Sequence, residues 1–242
     1  KAIRRQRQMC IRDSVSLFIM TLGVALCVRS NLGSSVISSA PLAFNLAGAG
    51  HLAPALSLGD YTNILNALLV VGQIIVLRRR FEPVQLLQLI IGFVFGMLID
   101  LNMAITSSVE CDTIVPQAIC QLAGCTVLGI GVALEVRCGS ITMPGEGLPV
   151  AISRVLSIPF AKAKIGVDIT LVVVAVASCY FFFGHWMFNV VGFGTLFAMV
   201  YVGAVVGFCS SHLSWFDRLL GYRPGFRRYL YGLARYIHRN RE

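Results

Sequence analysis

The sequence predicts an all-α integral membrane protein built from two related halves. Hydrophobic residues occupy 57% of its 242 positions, charged residues only 13%, and the mean hydropathy is +0.78. This composition excludes an ordinary soluble domain, which needs far more polar surface. Arginine clusters separate the apolar segments, a pattern typical of a chain that crosses a bilayer several times.

The two halves become visible when the chain is compared with itself. An offset of 108 positions places Gly23–Leu26 on Gly131–Leu134, Arg29 on Arg137 and Pro41 on Pro149. An offset of 102 places Asn66 on Asp168, and one of 111 places Gly92 and Gly96 on Gly203 and Gly207. We therefore predict a single membrane domain over residues 1–213, with repeat 1 at about 11–105 and repeat 2 at about 113–213.

The first half opens with a short span and a broken segment. Only 15 uncharged residues separate Asp13 from Arg29, fewer than the about 20 that a full crossing needs. The next stretch is uncharged but interrupted by glycines and prolines, so we expect a re-entrant or broken half-helix around Ser35–Leu46. Full spans follow at Tyr61–Leu77 and Pro83–Ile99, the latter with Gly92 and Gly96 as a close-packing face.

The second half repeats this order. A span at Thr113–Leu134 precedes a broken segment around Gly147–Pro159, and two further spans lie within Ile169–Phe216, joined by a turn near Gly184–Asn189. The total is six spans in a three-plus-three arrangement. Placing both termini in the cytoplasm puts every strongly basic segment inside. Each half then crosses an odd number of times, so the repeat is predicted to be inverted.

Residues 214–242 differ in kind from the spans. Aromatic residues and leucines recur there at spacings of three and four, with arginines between them. We expect a basic amphipathic C-terminal helix that lies on the membrane surface.

The motifs of the second half point to a family. An arginine-ended helix, the Pro-Gly-Glu-Gly stretch of Pro144–Gly147 followed by Ala151–Ser153, and the acid Asp168 resemble the YczE/YitT-like group of bacterial multi-pass membrane proteins. The resemblance covers most of residues 11–213. It implies a protein of the bacterial cytoplasmic membrane with a transport role, and it supplies no substrate-binding residue.

The first half departs from this pattern at two positions. Ser38 stands where the second half has Glu146, and Cys27 stands where it has Glu135. A site shared by the two halves would therefore be chemically asymmetric.

The candidate substrate-binding residues are the polar and ionisable side chains within or beside the apolar segments. They are Arg29, Asn63, Asn66, Glu135, Arg137, Glu146 and Asp168. Such residues are costly in a membrane and usually face a cavity or a partner. We expect Arg29 and Arg137 to project toward the interface between the repeats, pairing with an acid or holding an anionic group of the solute.

Each assignment has a simpler alternative. Glu146 could be an acid stabilised by the dipole at a helix N-terminus, and Asp168 could form an i,i+4 ion pair with Lys164. The arginines could be anchors to lipid headgroups.

Nothing in the sequence indicates an enzyme. The four histidines are scattered, no P-loop is present, and no cofactor or metal is predicted. The eight cysteines suggest no disulfide framework, and only Cys111 is expected to be exposed.

The expected function is a membrane transporter or solute-binding membrane protein for a small polar or charged solute. One alternative is the capture subunit of a multi-component transporter, as in energy-coupling-factor systems. Another is a non-transporting membrane scaffold or lipid-interacting protein. The expected partners are the lipid bilayer and a small solute, with a homo-oligomer or an energising partner left open. Nucleic acid is not expected, because the basic clusters flank membrane spans.

Overall fold

A computed structural model describes residues 2–78, 81, 83–109, 111–138 and 143–212, and all regular structure within these ranges is helical. The α-helices are α1 (Ala2–Arg29), α2 (Val36–Ala49), α3 (Leu58–Leu77), α4 (Leu87–Ile105), α5 (Ile114–Cys138), α6 (Pro144–Leu156), α7 (Phe160–Phe183) and α8 (Phe193–His212). The C-terminal segment 214–242, predicted to be amphipathic, lies outside the described residues.

Among the described residues, four stretches are long and apolar enough to cross a membrane. They are Leu58–Leu77, Leu87–Ser108, Ile114–Glu135 and Lys162–Phe183. These correspond to the second to fifth predicted spans. The apolar parts of the first and last helices, Ser14–Arg29 and Phe193–Cys209, are shorter. For the described part of the chain, an all-helical fold with membrane-type helices is thus confirmed, and the six-span arrangement stays a prediction.

The two predicted broken segments form short helices. Helix α2 has 14 residues and α6 has 13, so each is about 20 Å long, roughly two-thirds of the hydrocarbon thickness of a bilayer. Helix α6 begins three residues earlier than expected, because Pro144 occupies its first turn, where a proline loses no hydrogen bond. Ser157, with a left-handed φ of 53°, ends it.

Helices α1 and α5 pack against each other in antiparallel orientation. Met20 meets Gly131, Gly23 meets Leu128 and Cys27 meets Gly124. Residue numbers along the contact therefore increase in α1 while they decrease in α5, as antiparallel helices require. A Cβ on Gly23 would lie 2.5 Å from the backbone nitrogen of Leu128. Glycine is therefore required for this close approach.

Helices α3 and α4 form an antiparallel hairpin. Gly92 lies against Asn66, and Gly96 lies against Asn63. The predicted close-packing face of α4 is thus confirmed, and it receives polar side chains. At one end of the hairpin, Ser57 donates a 2.6 Å hydrogen bond to Asp100.

The remaining packing joins helices both within and between the two predicted halves. Helix α2 lies on α7 and α3, α6 lies on α3 and α7, α1 lies on α4, and α5 lies on α8. The largest core cluster gathers Val24, Phe95, Ile99 and Val190. One expectation was wrong: Cys111, just before α5, is only 7% exposed, and its carbonyl accepts a hydrogen bond from Gln117.

Candidate functional site

The short helices α2 and α6 begin next to each other in the interior of the bundle. The side chain of Ile37, in the first turn of α2, packs over Gly145 in the first turn of α6, with no room for a Cβ on the glycine. At the offset of 108 positions, these two residues are equivalent. The first turns of the two short helices therefore meet through matching positions.

From this meeting point the two helices run toward opposite ends of the bundle. Phe44, near the end of α2, packs on Phe182 at the end of α7, with ring centroids 5.2 Å apart. Helix α6 instead ends at Leu156, just before the first residue of α7 at Phe160. The positive ends of both helix dipoles consequently point into the interior.

Serines surround the start of α2. Ser34, Ser35, Ser38 and Ser39 are all buried. The hydroxyls of Ser35 and Ser38 are 2.6 Å apart, and the Ser34 hydroxyl donates to the carbonyl of Val190 at 3.1 Å. No acidic residue lies in the first turn of α2. This end of the site thus offers hydroxyls and a positive dipole end without a carboxylate.

The start of α6 has a carboxylate instead. Glu135 is 7% exposed, and its Oε1 accepts a 3.2 Å hydrogen bond from the backbone nitrogen of Met143, the residue before α6. Met143 is equivalent to Ser35, and Glu135 is equivalent to Cys27. The chemical asymmetry expected from the sequence therefore falls at the two helix starts.

Lys164 brings two of the predicted site residues together. Its Nζ lies 2.9 Å from an oxygen of Asp168 and 3.4 Å from an oxygen of Glu146. The ion pair between Lys164 and Asp168 at i,i+4 spacing is confirmed. Since one lysine faces two carboxylates, the group carries a net charge of −1 when all three are ionised. Its opposite charges lie at the contact between α6 and α7.

A second polar group lies where α3, α4 and α6 meet. Gln73 is 1% exposed and donates to Oε1 of Gln88 at 3.0 Å and to the carbonyl of Pro144 at 3.3 Å. A Cβ on Gly147 would lie 2.7 Å from Nε2 of Gln73. This amide pair holds the start of α6 against the α3–α4 hairpin.

Asn66 has no hydrogen-bond partner in the part of the chain that the structure describes. It is 1% exposed, and neither its Nδ2 nor its Oδ1 is bonded. The Oδ1 of Asn63, one turn earlier, is also buried and unbonded. Buried amides are nearly always satisfied. Asn66 is therefore the clearest candidate for a side chain that awaits a ligand or a different conformation.

Arg29 lies apart from the acids. Its Nη2 donates to the carbonyl of Met103 at 2.9 Å, near the end of α4, and its Nε is buried without a partner. It is not ion-paired with Glu135, Glu146 or Asp168, so the expected pairing with one of these acids is not observed. The side chain of Arg137 lies outside the described residues.

The sequence analysis missed several residues of this region. Lys164 was expected only as the alternative partner of Asp168 and Ser38 only as the counterpart of Glu146, and the other serines and the glutamine pair were not predicted as site residues. The serines could have been found as paired residues in an uncharged segment, and Gln73 as the residue seven positions after Asn66, on the same helical face. Within the described residues, no group of three His, Cys, Asp or Glu side chains could hold a metal ion.

A family model matches most of the chain. The family, DUF6198, is a family of unknown function, and the match covers residues 8–211. No curated protein and no solved structure matches the chain. Nothing in the match names the YczE/YitT-like group, so that resemblance remains a prediction.

Proposed function

We propose that this chain, which belongs to the family of unknown function DUF6198, is a membrane transporter that binds a small polar or charged solute between its two halves. The observation that carries this proposal is the meeting of the α2 and α6 starts inside the bundle, through Ile37 and Gly145. Short helices that begin at mid-membrane direct their dipoles at polar groups of a solute, a recurrent arrangement in secondary transporters.

The helix packing supports an inverted repeat of six spans. At the offset of 108 positions, the contact of Gly23 with Leu128 exchanges with that of Gly131 with Met20. The packing of α2 on α7 has its counterpart in α6 on α3, and that of α1 on α4 in α5 on α8. The antiparallel orientation of α1 and α5 fits opposite insertion of the two halves. In this arrangement α1, α3, α4, α5, α7 and α8 cross the bacterial cytoplasmic membrane, with both termini inside.

The two helix starts would hold different parts of the solute. The serines at the start of α2 favour a hydrogen-bond-accepting or anionic group, because hydroxyls and a positive dipole end converge there without a competing acid. Glu135 occupies the matching place at α6 and favours a donor or cationic group. Asn66 would supply the amide that the apolar interior otherwise leaves unbonded.

A second candidate is a membrane scaffold that binds no solute. The contact of Lys164 with both Glu146 and Asp168 favours it, because charges that neutralise one another need no ligand. A scaffold would, however, leave the unbonded amide of Asn66 without a role.

A thermal-shift screen of small metabolites with the purified protein in detergent separates the two candidates, since a solute that binds the folded state raises the melting temperature. For a stabilising metabolite, Ser38→Ala should abolish the shift. Ser178→Ala is the matched control, because Ser178 is also buried and its hydroxyl, like that of Ser38, donates to a nearby backbone carbonyl, but Ser178 lies outside the first turns of α2 and α6. Equal shifts in both variants, or no stabilising metabolite of any charge type, would favour the scaffold.

A further inference from the structure

The two halves differ in one glycine-mediated contact. In the first half, Gly92 and Gly96 of α4 pack on Asn66 and Asn63 of α3. Their equivalents in the second half are Gly203 and Gly207 of α8. Both are exposed, and no described atom lies within 4 Å of a Cβ built on either of them. The α3–α4 pair is thus closed, whereas α7 and α8 are apart at the matching positions.

Of the two facing positions on α7, Ile165 is accessible, whereas the Asp168 side chain is 15% exposed beside Lys164. At the offset of 102, Asn66 corresponds to Asp168 and Asn63 to Ile165. Ile165 is 54% exposed, whereas Asn63 is packed against Gly96. The glycine pair on α8 and its predicted receiving positions on α7 are therefore both free of the contact that their equivalents make.

In a transporter built from an inverted repeat, a contact that is closed in one half and open in the other relates to the transport cycle. In such a transporter the halves adopt unlike conformations at any moment, and exchanging those conformations moves access from one side of the membrane to the other. The packing seen in one half then indicates the packing that the other half adopts in the alternate state.

We propose that in the alternate state α8 closes on α7, with Gly203 against Asp168 and Gly207 against Ile165, while the α3–α4 contact opens. This inference rests on the proposed function, because only a transporter needs the exchange. Closure covers the Asp168 carboxylate in an apolar contact, so Lys164 or a bound cation must stay beside it. Whether Lys164 or a bound cation lies beside Asp168 would thereby influence which half is closed.

A pair of engineered cysteines tests the closure. The variant carries Ile165→Cys and Gly207→Cys, with Cys209→Ser to remove a nearby thiol, and a protease site in the loop at residues 184–192. After oxidation in membranes, a disulfide should keep the two proteolytic fragments together.

The control pair replaces Ile165→Cys with Gly166→Cys. Gly166 also faces open space, and its equivalent Ile64 remains 47% exposed in the closed half, so closure should not bring it to Gly207. Equal crosslinking of both pairs, or no crosslinking of the test pair, overturns the proposal. A crosslink between two molecules would indicate that a second copy covers this face, which also overturns it.

A bulky side chain provides the second arm. Gly203→Leu, added to the test pair, has space in the described conformation but should abolish the crosslink, because leucine cannot fit between α8 and Asp168. Gly166→Leu should leave it intact. The assay needs no solute, so failure to find a metabolite in the thermal-shift screen would not affect it. Conversely, a bound metabolite without this crosslink would refute only the closure.

Discussion

Replacing Asn66 by leucine should make the protein more stable and, at the same time, remove its response to solute. Both polar atoms of the Asn66 amide are buried without a partner. A buried amide without hydrogen bonds costs about 1–3 kcal/mol in mutational data. In detergent the unfolded reference state is itself only partly hydrated, so we expect Asn66→Leu to raise the free energy of unfolding by about 1–2 kcal/mol.

Asn102 provides a matched substitution with the opposite sign. It is fully buried like Asn66, and its Oδ1 is also unbonded among the described residues, but its Nδ2 donates to Oγ1 of Thr21 at 2.8 Å and to the carbonyl of Leu98 at 3.0 Å. Hydrogen bonds between membrane helices contribute about 0.6 kcal/mol on average and up to about 1.7. Asn102→Leu should therefore lower the free energy of unfolding by about 1 kcal/mol.

Thermal unfolding with a thiol-reactive fluorophore measures both variants. Cys27 and Cys125 are fully buried between α1 and α5, so these thiols should become reactive only as the bundle opens. A melting temperature of Asn66→Leu at or below that of Asn102→Leu would refute the reasoning. It would mean that Asn66 has a structural hydrogen bond or that leucine does not fit beside Gly92.

Three further predictions concern packing, charge and topology. Gly147→Ala should lower the free energy of unfolding by about 1–3 kcal/mol through overpacking, because its Cβ would meet Gln73 and Gln88. The control Gly72→Ala lies on the same α3–α6 contact but has Leu148 at 3.5 Å, so it should be neutral in the same unfolding assay. Lys164→Met should lower the melting temperature, because it leaves two carboxylates without their shared cation, and no change on mutation would mean that the ion group is solvated. A cysteine at Asp112 should react with an impermeant thiol reagent in intact cells while one at Arg78 should not; equal labelling would contradict the proposed orientation.

The sequence predicted much of the architecture, because composition and hydropathy act locally along the chain. The spans of α3, α4, α5 and α7 follow from apolar length, and the breaks at α2 and α6 follow from glycines and prolines that cannot continue a span. The boundaries were less certain, since capping decides them. Pro144 starts α6 earlier than the hydrophobic pattern indicates.

The candidate site was predicted only as a set of residue types. Sequence placed Asp168 beside Lys164 because four residues make one helical turn, but Glu146 reaches the same lysine only through the packing of α6 on α7. Arg29 was expected to pair with an acid or to hold an anionic group of the solute. Its guanidinium donates to the carbonyl of Met103 rather than to an acid, because the end of α1 packs beside the end of α4.

The sequence by itself determined that this is a helical membrane-type protein, since composition and apolar length depend on the residues along one chain, and it predicted a duplicated order of segments. Only the tertiary structure decided that the starts of α2 and α6 meet, through Ile37 and Gly145. It also decided that neither amide atom of Asn66 is bonded among the described residues, whereas the Nδ2 of Asn102 donates to Thr21. These features depend on which helix faces approach each other, and packing of side chains from distant segments sets that approach.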